Sequence, residues 1–167
     1  WQKYYPEDKA PKDVQDFLDQ LEDVSKINVH INSGGGSVFG GIAIYNILKR
    51  YDAEITVYVE GLAASIASVI AMAGDKIIIP ENAQMMIHKP SSVTWGNADD
   101  MRKEADILDG CQKVILNIEK YQRLSLCLHF YCSMISYSTS DSFTSSSNPV
   151  VYPFPLRLCT TRLIIHA

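Results

Sequence analysis

A serine and a histidine in the middle of the chain have the types and spacing that nucleophilic catalysis requires. Ser65 and Ser68 stand in GLAASIASVIAMAGD (61–75), where a strand pattern gives way to a helix pattern. A nucleophile on such a tight turn lies beside helix N–H groups and the positive end of the helix dipole, which suit an oxyanion. Small residues packing at a helix–sheet contact are the alternative explanation. Ser68, one turn further along, is predicted to pack rather than to react.

The histidines bear on this choice, because a serine hydroxyl is a poor nucleophile until a neighbouring base accepts its proton. His88 ends a short strand pattern in MMIHKP. Pro90 then keeps the chain extended, which places His88 at a sheet edge where loops meet. His30 lies within the strand pattern INVHI and is expected to be structural, while His129 and His166 fall late in the chain. His88 is therefore the candidate base.

Three consecutive glycines, Gly34–Gly36, lie between the strand pattern INVHI and a helix pattern. On its own, such a run predicts a plain turn. It has neither the GxGxxG nor the GxxxxGK[ST] spacing, which argues against nucleotide binding. Its backbone N–H groups could instead provide a second donor to an oxyanion.

Strand and helix patterns alternate along the chain up to Gln122 and would position these groups. This alternation predicts an α/β fold with a largely parallel sheet. The predicted strands cover residues 27–31, 55–59, 76–80 and 83–88, and the predicted helices cover 11–24, 38–50, about 64–72 and about 98–121.

The segment 123–167 differs in character from the rest of the chain. It contains no Lys, no Glu and one Asp, it is rich in serine, and neither periodicity persists in it. We therefore predict one domain over residues 1–122, followed by an anomalous tail. A shifted reading frame and a divergent natural tail both explain this segment.

The composition argues against several classes of function. The net charge of −4 gives no electrostatic reason to expect nucleic acid or an anionic membrane as a partner. The longest apolar stretch has about a dozen residues, whereas a membrane-spanning helix needs about 20. The first residues lack the apolar region of a secretory signal. The 4 cysteines show no zinc-binding spacing, so we expect no metal and a cytoplasmic protein with reduced thiols.

Three segments in order resemble the proteolytic subunit of Clp protease (ClpP): INSGGGSVFGGIAIYNILKR, GLAASIASVIAMAGDKIIIPENAQMMIHKP and the helix that follows. The resemblance covers about residues 11–122 and looks strongest with the ClpP-like proteins of phages and prophages, including head-maturation proteases. It implies a ClpP/crotonase-type α/β spiral of short strands and helices. Residues 91–121 would form the protruding handle, a strand-loop and a long helix.

The resemblance also implies the roles of individual residues. Ser65 in AASIA matches the family nucleophile, and His88 in MMIHKP matches the general base. The backbone N–H groups of Gly35 and Ile66 would form the oxyanion hole. Gly34 stands where the family motif has a proline.

The third member of the catalytic triad, an acid, is not identified by this resemblance. Asp141 lies at about the family's distance after the histidine, but its surroundings, STSDSFTSSS, have no counterpart in the family. Asp141 is therefore only a weak candidate. The acid orients the imidazole and stabilises its protonated form.

The resemblance implies a serine endopeptidase that cleaves unfolded polypeptides, or phage capsid and scaffold proteins, and that needs no cofactor. It further implies a homo-oligomeric ring, a heptamer or a double ring, in the cytoplasm of a bacterial host. An AAA+ unfoldase partner would supply any use of ATP. A catalytically inactive prophage remnant or structural ring subunit is the alternative. A crotonase-type acyl-CoA enzyme is a third hypothesis, since such enzymes share the fold and the paired oxyanion donors.

Overall fold

The computed structural model describes residues 8–126, 136–137 and 162–166. Helices and strands alternate through most of this part of the chain. The helices are α1 (Pro11–Leu18), α2 (Val38–Arg50), α3 (Ile66–Ala71) and α4 (Ala98–Leu126), and the strands are β1 (Lys26–Ser33), β2 (Glu54–Ala64), β3 (Lys76–Ile78), β4 (Gln84–Ile87), β5 (Ser136–Tyr137) and β6 (Arg162–His166).

The strands form one six-stranded sheet in the order β5-β4-β2-β1-β6, and β3 pairs with the first half of β2. The pairs β1–β2, β2–β3, β2–β4 and β4–β5 are parallel, and β6 runs antiparallel to β1. The predicted α/β fold with a largely parallel sheet is therefore confirmed. The long helix α4 is the handle helix that the family resemblance implied.

The register between β1 and β2 shifts near their carboxyl ends. Ile31 pairs with Val59, but the next pair joins Ser33 to Ala63, so β1 advances by two residues while β2 advances by four. The Asn32 side chain spans this irregularity, because its Oδ1 accepts the Leu62 N–H at 3.2 Å. The shift lets β2 continue to Ala64 and pair there with β4.

The main core lies between the sheet and helices α1, α2 and α3. Alternate residues of β1 and β2 point into it, as the period of two in a strand requires. Tyr45 packs against this core from α2, and desolvation raises the pKa of its phenol above the usual range. The fully buried aliphatic residues of this core include Leu18, Ile27, Val29, Leu48, Val57 and Val59.

A smaller apolar cluster joins α3 to α4. Ile66 and Val69 of α3 pack against Ile115 of α4, with Val38 and Ile42 of α2 beside them. This cluster matters for function, because Ile66 directly follows Ser65. The handle helix thereby supports the turn that carries the candidate nucleophile.

Several predicted boundaries differ from the observed ones. Helix α1 ends at Leu18 rather than near residue 24, since the N–H groups of Gln20 and Leu21 turn back onto carbonyls three residues earlier and Asp23 has a φ of 51°. Strand β2 is longer than predicted because β4 pairs with its end. No helix or strand occurs between residues 88 and 97, so the handle has no strand there. Helix α4 extends beyond Gln122, to Leu126.

Two short strands belong to the segment that the sequence singled out as anomalous. Strand β5 pairs with β4 through Met86–Ser136 and Ile87–Tyr137, and β6 pairs with β1 along five residues. Neither strand was predicted from the sequence, because no periodicity persists along this segment. The boundary between domain and tail near Gln122 stays a prediction.

Within the described part of the chain, no helix has the length and apolar character needed to span a bilayer.

Asp75 lies between α3 and β3 and bonds this connection to the backbone of β2. The contribution of its carboxylate to stability can be tested. Its Oδ2 accepts the Ile55 N–H at 2.8 Å, and the Asp75 N–H donates to the Ile55 carbonyl at 2.8 Å. Asp75→Ala removes the acceptor for the N–H of a residue that is only 2% exposed. We expect urea denaturation to show a loss of about 1–3 kcal/mol in the free energy of unfolding.

Lys49→Gln is the matched control for Asp75→Ala, because Lys49 forms an ion pair with Asp75 at 3.6 Å between half-exposed groups. Such a pair contributes less than about 1 kcal/mol. Equal losses in the two variants would contradict the assignment of the stabilisation to the hydrogen bond.

Candidate active site

Ser65 occupies a strained turn between β2 and α3. Its φ of 55° and ψ of −129° lie in a region that residues with a Cβ rarely adopt, and it is one of two described non-glycine residues with positive φ. Its N–H donates to the Met86 carbonyl at 2.9 Å, which ties the turn to β4. Strain of this kind is concentrated at functional sites, where the surrounding structure maintains it.

The glycine loop (Gly34–Gly36) lies directly against Ser65. A Cβ placed on Gly35 would lie 2.6 Å from the Ser65 Cβ and 3.2 Å from its Oγ, and Gly35 has a φ of +105°. Both the close approach and the positive φ require glycine at this position. The structure thus brings together two of the residues that the sequence marked for the site.

The two backbone donors expected in the oxyanion hole differ in their surroundings. The Gly35 N–H donates to the Ser33 Oγ at 3.0 Å. Ile66 is the first residue of α3 and directly follows Ser65, so its N–H is one of those that a helix leaves without an intrahelical partner.

His88 and Ser65 line the same small cavity. His88 is exposed and directly follows β4. Among the described residues, no hydrogen bond joins the His88 ring to Ser65 or to a carboxylate. Catalytic hydrogen bonds are often long before substrate binds, so the shared cavity is the relevant observation. The rest of the lining is mostly apolar: Val38, Ile66, Val69, Ile87, Pro90 and Ile115, with Ser68.

His30 is not among the residues that line this cavity. His30 lies on the half-exposed face of the sheet, where its Nδ1 is 2.5 Å from the Glu60 Oε1 and its ring stacks on Tyr58 at 4.9 Å between centroids. His30 is thus held by neighbours within the sheet. His166 is in β6, and His129 lies outside the described residues, as does Asp141.

Ser68 is part of the structure that supports Ser65. It is 1% exposed, and its Oγ donates to the Ser65 carbonyl at 2.6 Å. The Ser68 N–H donates to the same carbonyl at 3.0 Å. Two donors on one carbonyl hold the strained peptide in place.

Sequence reasoning missed two residues that shape the site, Ser33 and Asn32. Both lie at the end of β1, where their polar side chains make local bonds to the backbone of the loop and of β2. Ser or Asn beside a glycine run often makes such bonds, and this was the available signal.

No group of three or more metal-ligating side chains occurs among the residues that the structure describes.

The strained backbone at Ser65 is expected to lower the stability of the protein while it presents the hydroxyl for reaction. Ser65→Gly removes the Cβ from a backbone conformation that glycine adopts readily, so we expect the free energy of unfolding to rise by about 1 kcal/mol. Ser65→Ala is the matched control, since it also lacks the hydroxyl but keeps the Cβ. Urea denaturation of the three proteins measures the difference, and equal stability of the Gly and Ala variants would contradict the strain.

Comparison with known proteins connects this geometry to a family. The Clp protease family profile matches residues 12–123. The chain is 37% identical over 105 residues to the ATP-dependent Clp protease proteolytic subunit of Ligilactobacillus salivarius. The aligned region covers 61% of this chain and 53% of the relative. The subunits so named in Bacteroides fragilis (32% over 105 residues, 61% and 50% covered) and Deinococcus radiodurans (36% over 92 residues, 53% and 45% covered) are also similar.

The chain spans about half the length of the curated relatives it matches. The matched region nevertheless includes the whole of the site, from the glycine loop through Ser65 and His88 to most of α4. The family profile covers well over half of the chain, in agreement with the observed α/β sheet and the long helix. This chain therefore belongs to the Clp protease family.

Proposed function

We propose that this chain is a serine endopeptidase of ClpP type in which Ser65 is the nucleophile and His88 the general base. One observation carries the proposal: the strained turn presents Ser65 against the Gly35 backbone and into the cavity that His88 also lines. A structural serine in a helix would need neither the strain nor the glycine contact.

The proposed reaction follows from these positions. The Ser65 Oγ attacks a peptide carbonyl while its proton passes to His88. The N–H groups of Gly35 and Ile66 stabilise the negative charge that develops on the carbonyl oxygen. His88 then protonates the leaving amine, and water, deprotonated by His88, hydrolyses the acyl-enzyme.

The substrates would be unfolded polypeptides, or the capsid and scaffold proteins of a phage. The lining of the cavity is mostly apolar, which favours contact with apolar side chains of a polypeptide substrate. The chemistry uses no metal or organic cofactor. An AAA+ unfoldase in the bacterial cytoplasm would supply the unfolded chains.

An inactive ring subunit or prophage remnant is the second candidate function. The observation in its favour is that, in the part of the chain described, no carboxylate is hydrogen-bonded to His88. Loss of the acid of a serine-protease triad lowers kcat by about 10⁴. Asp141 remains the weak candidate for this role.

Covalent labelling separates the two candidates. An active site of this kind should react with a fluorophosphonate probe at Ser65, identified by peptide mass spectrometry. We expect Ser65→Ala to abolish the adduct and His88→Ala to slow labelling by at least about 10²-fold, because the base no longer accepts the proton.

Ser37→Ala and His30→Gln are the matched controls, because each removes the same chemical group from a residue that does not line the cavity. Both should keep most of the labelling rate. An unlabelled but folded wild-type protein, with native circular dichroism, would favour the inactive subunit.

We also propose that α4 joins copies of this chain in a homo-oligomeric ring. Two rows of exposed apolar side chains flank the buried side of the helix: Ile107 and Val114 on one side, Met101 and Leu116 on the other, each 43–52% exposed. Trp95, just before the helix, is 97% exposed. An apolar surface of this extent beside a packed one is typical of an interface.

Charge substitution on α4 tests the proposed assembly. Ile107→Glu buries a carboxylate if this row is an interface, so we expect the oligomer to dissociate into smaller species in light scattering after size exclusion. Asn117→Glu adds the same charge at an exposed polar position away from both rows and should leave the mass unchanged. An unchanged mass in both variants would contradict this interface.

A further inference from the structure

The glycine loop has an unusual need for a restraint. Three consecutive glycines lose more backbone freedom on folding than any other three residues would. Positive φ occurs at Gly35 and Gly36 but not at Gly34. Gly34 precedes them and has no ring to fix its φ.

A hydrogen bond from the strand supplies a restraint in its place. The Ser33 Oγ accepts the Gly35 N–H at 3.0 Å. Ser33 is only 3% exposed and is the last residue of β1, paired with Ala63 of β2. The acceptor is therefore fixed by the sheet, next to the strand that carries Ser65.

The position of the Gly35 backbone is critical because it touches the candidate nucleophile. A Cβ on Gly35 would lie 3.2 Å from the Ser65 Oγ. We propose that Ser33 is a positioning residue, whose hydroxyl holds the Gly35 backbone against Ser65. This inference rests on the proposed function and deepens it.

The same bond is compatible with oxyanion binding. The Ser33–Gly35 bond joins two neutral groups, whereas a carbonyl oxygen that develops negative charge is a stronger acceptor. The Gly35 N–H can therefore pass from the Ser33 hydroxyl to the oxyanion as charge develops. A neutral substrate carbonyl has no such advantage, so the exchange favours the transition state over the bound substrate.

Amide hydrogen exchange at Gly35, measured by NMR on the full chain, tests the restraint without requiring activity. Ser33→Ala should raise the exchange rate of the Gly35 amide by about fivefold, since one hydrogen bond is lost. Ser33→Thr keeps the hydroxyl and should restore the slower rate. An unchanged Gly35 rate in Ser33→Ala would overturn the proposal.

Labelling by a fluorophosphonate probe tests the consequence for chemistry. Ser33→Ala should lower the inactivation rate constant by about 10- to 100-fold at an unchanged probe-binding constant, because the oxyanion donor is displaced but present. Gly34→Pro in the Ser33→Ala background should recover part of that loss, since proline fixes the negative φ that Gly34 adopts.

Ser37→Ala is the matched control, because the Ser37 Oγ accepts the Gly40 N–H at 3.3 Å and so caps α2 rather than bonding to Gly35. It should lower the melting temperature but leave Gly35 exchange and labelling unchanged. A loss of labelling equal to that of Ser33→Ala would overturn the positioning role. If wild-type Ser65 does not label at all, the proposed function fails, and the exchange rates alone still decide whether Ser33 holds the loop.

Discussion

The parallel pairing of β1 with β2, including its shift in register, is the constraint on which the site depends. Both strands bury alternate aliphatic residues, and this burial holds their relative position firmly. The glycine loop directly follows β1, and Ser65 directly follows β2. Between Val59 and Ala63, β2 has two more residues than the matching part of β1. These two residues determine where Ser65 lies relative to the end of β1. The candidate nucleophile and its backbone neighbour therefore meet because two strands are paired, not because they are close in sequence.

The strain at Ser65 is maintained by contacts from three directions. The Met86 carbonyl of β4 accepts its N–H, Ser68 donates twice to its carbonyl, and Gly35 packs against its side chain. A conformation that costs about 1–3 kcal/mol persists only when the surroundings determine it this completely. The buried side chains of α3 provide that rigidity, since each of its six residues is buried.

Helix α4, the handle helix, contacts the site through Ile115. Ile115 packs on Ile66 and Val69, and it also lines the cavity that Ser65 and His88 share. A shift of α4 would therefore change both the wall of the cavity and the first turn of α3. His88 differs from Ser65 in this respect, because it is exposed and its ring is not held by a carboxylate among the described residues. The nucleophile is held rigidly, while the base is held mainly by the end of β4.

The sequence by itself determined the types of most elements and the identities of the candidate groups. Ser65 between a strand and a helix, Gly35 in a glycine run and His88 before Lys89 and Pro90 could each be recognised locally, since period, turn chemistry and motif are properties of short segments. The tertiary structure decided the rest. The length of β2, the pairing of His30 with Glu60 and the shared cavity all depend on strand register. Register results from the pairing and burial of segments distant in sequence, and a local pattern does not encode it.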